Sequence, residues 1–194
     1  MRSAADRAAA WLAGARGRLL ASDPGRGRLS MAFAAALAVG TTLAVEYVFA
    51  ALTGAGAQGS LVSMLLGAVV AMLGANALGG AGNGIWDKVR TAVFFPVAIG
   101  IGMLAAVLVG PHTALMLGVF VLVMFLAVLV RRFGLPFFFY GFMTWMGYFF
   151  ATFLHATLAT LPGLVLATVV ATVWILLLSA TVLRTKPRST MRST

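Results

Sequence analysis

No cysteine occurs in these 194 residues, which excludes disulfides, thiol catalysis and thiolate metal sites and leaves the redox compartment unread. Acids are scarce as well: four Asp and Glu stand against 14 Lys and Arg, for a net charge of +10. Histidine occurs twice, and no His, Asp or Glu cluster has metal-ligand spacing, so neither a metal nor another cofactor is expected. A Gly-x-Ser-x-Gly elbow and a Walker A loop are missing too. With no catalytic constellation to name, an enzyme is not expected. Polar chain is the last shortage. Hydrophobic residues make up 62% of the sequence, whereas soluble domains hold roughly 45–50%, so lipid must solvate most of this surface.

What is there is a series of apolar runs. Six of them, at about residues 29–52, 60–78, 91–109, 114–130, 136–155 and 164–183, are long enough or nearly long enough to cross a bilayer. The basic residues lie before the first run, between the second and third, between the fourth and fifth, and after the sixth. The intervening loops at 52–59, 110–113 and 157–163 contain none. Because cytoplasmic loops carry the Lys/Arg excess, this pattern predicts an all-α integral membrane bundle of six transmembrane helices with both termini cytoplasmic. Attraction to the anionic inner leaflet accounts for the positive charge. The basic residues form no face on a separate module, so nucleic acid is not expected as a partner.

The organisation follows from the same pattern. Residues 1–28 form a basic cytoplasmic segment, 29–183 the transmembrane domain and 184–194 a basic cytoplasmic tail. In the first segment, Trp11, Ala15 and Leu19 recur every four residues beside Leu12, which suits an amphipathic helix over about 4–20 lying on the inner leaflet. A disordered tail is the alternative. The first run exceeds the 7–15 apolar residues of a signal peptide, so it is expected to stay as an anchor. Ala32, Ala36, Gly40 and Ala44 repeat every four positions in it, as do Gly67, Ala71 and Ala75 in the second run. Such small stripes let helix backbones approach closely in lipid. Pro96 predicts a kink near residues 93–96, and Pro136 opens the fifth span at a favourable first-turn position.

Few residues have the chemistry for a task inside lipid. Glu46 is the one acid clearly within a span, and an ionised carboxylate there costs several kcal/mol unless it faces a cavity or a partner. It lies roughly 24 Å along the first span, and His155 lies roughly 28 Å along the fifth, at similar depth. The two are proton-coupling candidates, either as a relay or as a structural pair. In the fifth span Phe137, Gly141, Thr144, Tyr148 and Ala151, with Thr152 adjacent, form a face read as small or polar that leads to His155, while Phe138, Phe142, Trp145, Phe149 and Phe153 form an aromatic one. Thr144 and Tyr148, with Asn76 and the kinked span at Pro96, are candidates to line a substrate path. Helix-packing glue is the competing account. Lys88, Arg90, Arg131 and Arg132 read first as topology determinants. They are also candidates for attracting anions from the cytoplasm by electrostatic focusing.

The stretch Asp23-Pro24-Gly25-Arg26-Gly27-Arg28-Leu29-Ser30 before an Ala-rich span resembles the fusaric acid resistance protein-like family. So do the phrase Gly134-Leu135-Pro136-Phe137-Phe138-Phe139-Tyr140-Gly141-Phe142-Met143-Thr144-Trp145-Met146-Gly147-Tyr148-Phe149 and the ending Leu178-Ser179-Ala180-Thr181-Val182-Leu183-Arg184. That family includes aromatic acid exporters and is distantly similar to plant aluminium-activated malate transporters. The resemblance implies a six-helix membrane unit followed by a cytoplasmic domain, and efflux of aromatic carboxylic or related small organic anions across the bacterial inner membrane. The sequence ends soon after its sixth run, so it reads either as the membrane part of a longer protein or as a short member. A homo-oligomer in the lipid bilayer is expected. A passive anion channel and a non-transporting membrane scaffold are the alternatives.

Overall fold

The computed structural model of the chain describes residues 27–79, 84–110 and 112–181. The N-terminal basic segment up to residue 26, the glycine-rich connection at 80–83 and the tail after residue 181 lie outside them, and so does the helix expected over 4–20. Among the described residues every element is helical. In order they are α1 (Gly27–Leu52), α2 (Gly56–Gly79), α3 (Ile85–Ala92), α4 (Phe94–Val109), α5 (Thr113–Val130), α6 (Leu135–Phe153) and α7 (Leu161–Thr181). A single 3₁₀ turn, Arg131–Phe133, joins α5 to α6.

Five stretches are long and apolar enough to cross a membrane: Ala32–Leu52, Gly59–Gly79, Ile85–Val109, Thr113–Phe133 and Leu161–Thr181. The third combines α3 and α4, which are separated by a break at Val93. Pro96 is the third residue of α4. There its missing N–H removes the ladder bond to the Ala92 carbonyl, so the helix stops and restarts where a kink was predicted. Tyr140 Oη donates to the Thr91 carbonyl at 3.0 Å, so α6 braces the broken turn. α6 is 19 residues long, but Gly141, Thr144, Trp145, Gly147 and Tyr148 dilute its hydropathy.

The closest packing is between α4 and α6. A Cβ on Gly102 would collide with the Thr144 carbonyl oxygen, and one on Gly147 with the Ile99 carbonyl oxygen. Each glycine thus receives the other helix's backbone, the device that associates helices where lipid tails are as apolar as the side chains. α7 packs against α2, α4 and α1. α5 lies mainly on α6 and leaves most of its apolar surface bare, including Val121, Phe125 and Val128.

α1 corrects an expectation. The stripe Ala32, Ala36, Gly40 and Ala44 is exposed, and nothing lies within 4 Å of a Cβ built on Gly40. The packed face is the neighbouring one, Ala38, Thr42, Glu46 and Ala50, all buried. Both stripes are mostly small, and a polar side chain in lipid gains by turning inward, so Thr42 and Glu46 set the rotation.

α6 brings a second correction, because its helix ends at Phe153 and His155 lies beyond it. His155 N–H donates to the Thr152 carbonyl and Ala156 N–H to the Ala151 carbonyl, at 3.2 and 2.9 Å, and His155 has φ +50°. This is a Schellman stop with histidine at the left-handed position. α1 ends the same way, with Gly54 at φ +67° and Ala55 N–H bonded to the Ala50 carbonyl. Glycine accepts that conformation at no steric cost, whereas a side chain is strained by roughly 1 kcal/mol. His155→Gly is therefore expected to raise stability by about that amount, read as a higher midpoint in thermal unfolding of the detergent-solubilised protein.

Candidate functional site

The two ends of the bundle differ in charge. At one end lie the start of α3, the 3₁₀ turn and the last described turn of α7, with Lys88, Arg90, Arg131 and Arg132. At the other, the end of α1, the start of α2 and the α6–α7 connection enclose a cavity of about 740 Å³. Its lining includes Phe49 of α1, Thr53 just past its end, Val62 and Ser63 of α2, Leu164 of α7, and His155 and Thr160 between α6 and α7. The walls are mainly apolar with hydroxyls and one imidazole, the composition of a small-molecule pocket.

Glu46 lies one turn deeper than Phe49 on the same face of α1. Its side chain is 0% exposed, and neither carboxyl oxygen has a hydrogen-bond partner. Gly67 of α2 makes room for it, since a Cβ there would stand 2.5 Å from Glu46 Cγ and 3.2 Å from the Thr42 methyl. The Ala171 backbone of α7 lies beside the carboxyl, but a mid-helix amide is already committed to its own ladder. Three helices thus enclose an unpartnered carboxyl in a seam. Removing a buried polar group's partners ordinarily costs about 1–3 kcal/mol, so this is a site the fold tolerates at the expense of its own stability. Gly67→Ala is expected to push the Glu46 side chain out of its place and lower stability by about 1–3 kcal/mol in thermal unfolding.

The Glu46–His155 pair is not formed. His155 is exposed at the cavity rim because α6 stops before it, whereas Glu46 is enclosed between α1, α2 and α7.

The candidate path residues fall in other places. Tyr148 is 0% exposed and its hydroxyl donates to the Met116 carbonyl of α5 at 2.7 Å. Thr144 donates to the Tyr140 carbonyl one turn back at 2.9 Å, and its own carbonyl is what Gly102 receives. Neither lines the cavity. Asn76 is exposed near the end of α2, with its amide donating to the Met72 carbonyl at 2.7 Å, and Pro96 is half-buried in the first turn of α4. Tyr148→Phe is expected to cost about 1 kcal/mol of stability through the lost hydrogen bond. If Tyr148 serves packing alone, activity per folded molecule stays unchanged in the same preparation.

The basic end divides its cations. Lys88 is only 8% exposed, and its ammonium donates to the Ser179 carbonyl of α7 at 2.9 Å. A cation near the end of a helix complements that helix's dipole, so Lys88 ties α3 to α7 where a solvent-facing charge was expected. Arg90, Arg131 and Arg132 are exposed. The guanidinium of Arg131 lies 5.6 Å from the Phe138 ring centroid and that of Arg132 5.3 Å from Phe133, so both are held over aromatic faces.

Sequence reasoning singled out Glu46 and His155 but missed the partners that give Glu46 its setting: Gly67, Thr42, and the cavity floor at Phe49 and Ser63. Gly67 carried a signal as part of the small stripe of α2, while Phe49 and Ser63 carried none. No family model, curated protein or solved structure matches this chain.

Proposed function

We propose that this chain is a multi-pass transporter of the bacterial inner membrane that exports small organic anions, aromatic carboxylates among them, with proton coupling at Glu46. The observation that carries the reading is the Glu46 carboxyl, fully buried and without a hydrogen-bond partner one turn below an open cavity. An intramembrane carboxyl held at such a cost marks a proton or ion route. α6 serves as a sixth span, and both termini face the cytoplasm in accord with the positive-inside pattern. The exposed Arg90, Arg131 and Arg132 then stand at the cytoplasmic mouth, where they concentrate anions. The cavity at the opposite end is the exit. The bare faces of α1 and α5 meet lipid or further copies in a homo-oligomer.

The test is uptake of a radiolabelled aromatic acid into inverted membrane vesicles. Uptake is expected to rise when the lumen is made acidic. Passive leak of the neutral acid accumulates in the opposite sense, so the sign alone separates the two. No dependence on the gradient removes the proton-coupled reading, and a resolvable single-channel current would replace the carrier with a passive anion channel. One observation favours a non-transporting scaffold, namely the tight α4–α6 seam, with the Thr144 hydroxyl bonded within α6 and the Tyr148 hydroxyl bonded to α5. Absence of any saturable uptake would decide for that reading.

A further inference from the structure

We infer that Glu46 is a proton-binding site loaded from the cavity side alone, closed to the basic end by a buried apolar plug and unsuited to metal cations. The inference rests on the proposed function in one respect, that the proton bound there is the one used in transport. The binding site itself follows from geometry.

Access is the first element. Each of the three helices around Glu46 carries one face from the cavity down to it. On α1, Phe49 lines the cavity, with Thr53 just past the helix end, and Glu46 follows one turn below Phe49. On α2, Ser63 lines the cavity and Gly67, one turn on, touches Glu46. On α7, Leu164 lines the cavity and Ala171 lies beside the carboxyl. One turn on α1 and α2, roughly 5 Å, and two turns on α7, roughly 10 Å, separate Glu46 from the cavity-lining residues.

Closure is the second. Toward the basic end the same three faces continue as Ala38 on α1, Val70 and Ala71 on α2, and Ile175 on α7, each 0% exposed. Phe95 of α4 fills the space at Gly74, where a Cβ would meet its ring at 3.1 Å and Ile175 at 3.5 Å. On α1 and α2 this plug is longer than the single turn on the other side, and the hydroxyls it contains, those of Thr42 and Thr172, are spent on carbonyls of their own helices.

The identity of the ion is the third. A hard metal cation asks for about six oxygen ligands. Around Glu46, Gly67 and the Thr42 methyl present carbon. The threonines along the enclosing faces turn to their own helices: Thr42 donates to Ala38, Thr168 to Val165 and Thr172 to Thr168, each at 2.7 Å. Among the described residues no three His, Cys, Asp or Glu side chains come together. A proton needs only the carboxylate oxygen to which it binds, and binding it removes an uncompensated buried charge.

The experiment uses the full chain in right-side-out membrane vesicles whose inner and outer pH are set independently, with no organic substrate present. A membrane-permeant carbodiimide modifies only the protonated carboxyl, so mass spectrometry of the Glu46 peptide reads its occupancy by a proton. Labelling is expected to follow the outer pH, falling about tenfold per unit on the alkaline limb. It should ignore the inner pH and be unchanged by replacing potassium with sodium. Glu46→Gln supplies the background. Labelling that follows the inner pH, that sodium suppresses at fixed pH, or that stays at background at every pH overturns the inference. Because the chain has no cysteine, Ser63→Cys and Ala71→Cys give a second reading with an impermeant thiol reagent. Ser63→Cys should react from outside and Ala71→Cys from neither side, and the reverse pattern overturns the sidedness. Neither assay contains a transported acid, so a failed uptake experiment leaves this result standing, and the converse holds too.

Discussion

Gly102→Leu is expected to prevent α4 and α6 from closing, with a loss of about 3 kcal/mol or more and little folded protein recovered. The size of the effect comes from what the new side chain would meet. At most core positions an added methyl displaces a flexible neighbour. At Gly102 the obstacle is the Thr144 carbonyl, with the Tyr148 amide behind it at 2.8 Å. Those atoms belong to the ladder of α6 and cannot move unless the whole helix does. Gly147 sets the reciprocal contact against Ile99, so parting the helices at one point loses both. In lipid no hydrophobic force drives them back together, since the tails solvate an exposed apolar face as well as a neighbour does. The control is Gly118→Leu on α5, where nothing lies within 4 Å of the added carbon and a change within about 0.5 kcal/mol is expected. Thermal unfolding of the two variants, followed by size-exclusion chromatography in one detergent, makes the comparison. Equal midpoints would mean that the seam does not hold the bundle together.

The contrast between those glycines shows where sequence stops informing. Apolar runs, Pro136 and the break at Val93 were legible because each acts within one helix, through length, a missing donor or a fixed φ. Helix rotation was not. A soluble helix declares its buried face by an apolar stripe, but in lipid both faces are apolar and the stripe carries no sign. On α1 the more regular small stripe, Ala32 to Ala44, turned outward, while the face holding Thr42 and Glu46 turned in. The candidate site was readable to the same degree. Glu46 stood out as the lone acid of a span, yet nothing in the sequence says that Gly67 admits it or that Phe49 and Ser63 floor the cavity above. His155 was misplaced because its stop is set by hydrogen bonds on α6 that a glycine or asparagine would have announced. On α6 the Thr144 hydroxyl is bonded within its own helix and the Tyr148 hydroxyl to α5, partners that the sequence does not announce.

Glu46→Gln is expected to lower gradient-driven uptake by about 100-fold, the scale on which proton-transfer groups act, while leaving the fold intact. Glutamine matches the carboxyl in shape and fits against Gly67, so the three-helix seam is kept, but it cannot exchange a proton. Glu46→Met goes further by removing the buried polar group altogether. With no partner left behind, methionine should stabilise the protein by about 1–3 kcal/mol, the cost of holding an unbonded polar group in an apolar seam. Stability and activity thus move in opposite directions at one residue. A side chain whose only role is packing cannot behave this way, because replacing it with a better-packing one harms nothing. Uptake and thermal midpoint measured on the same preparations of both variants test the claim. If Glu46→Met lowers the midpoint, the carboxyl has a stabilising partner and the account of it as an unpaired, functional group fails. A raised midpoint with full uptake removes the proton role and leaves the lone carboxyl without a physical reason to be there.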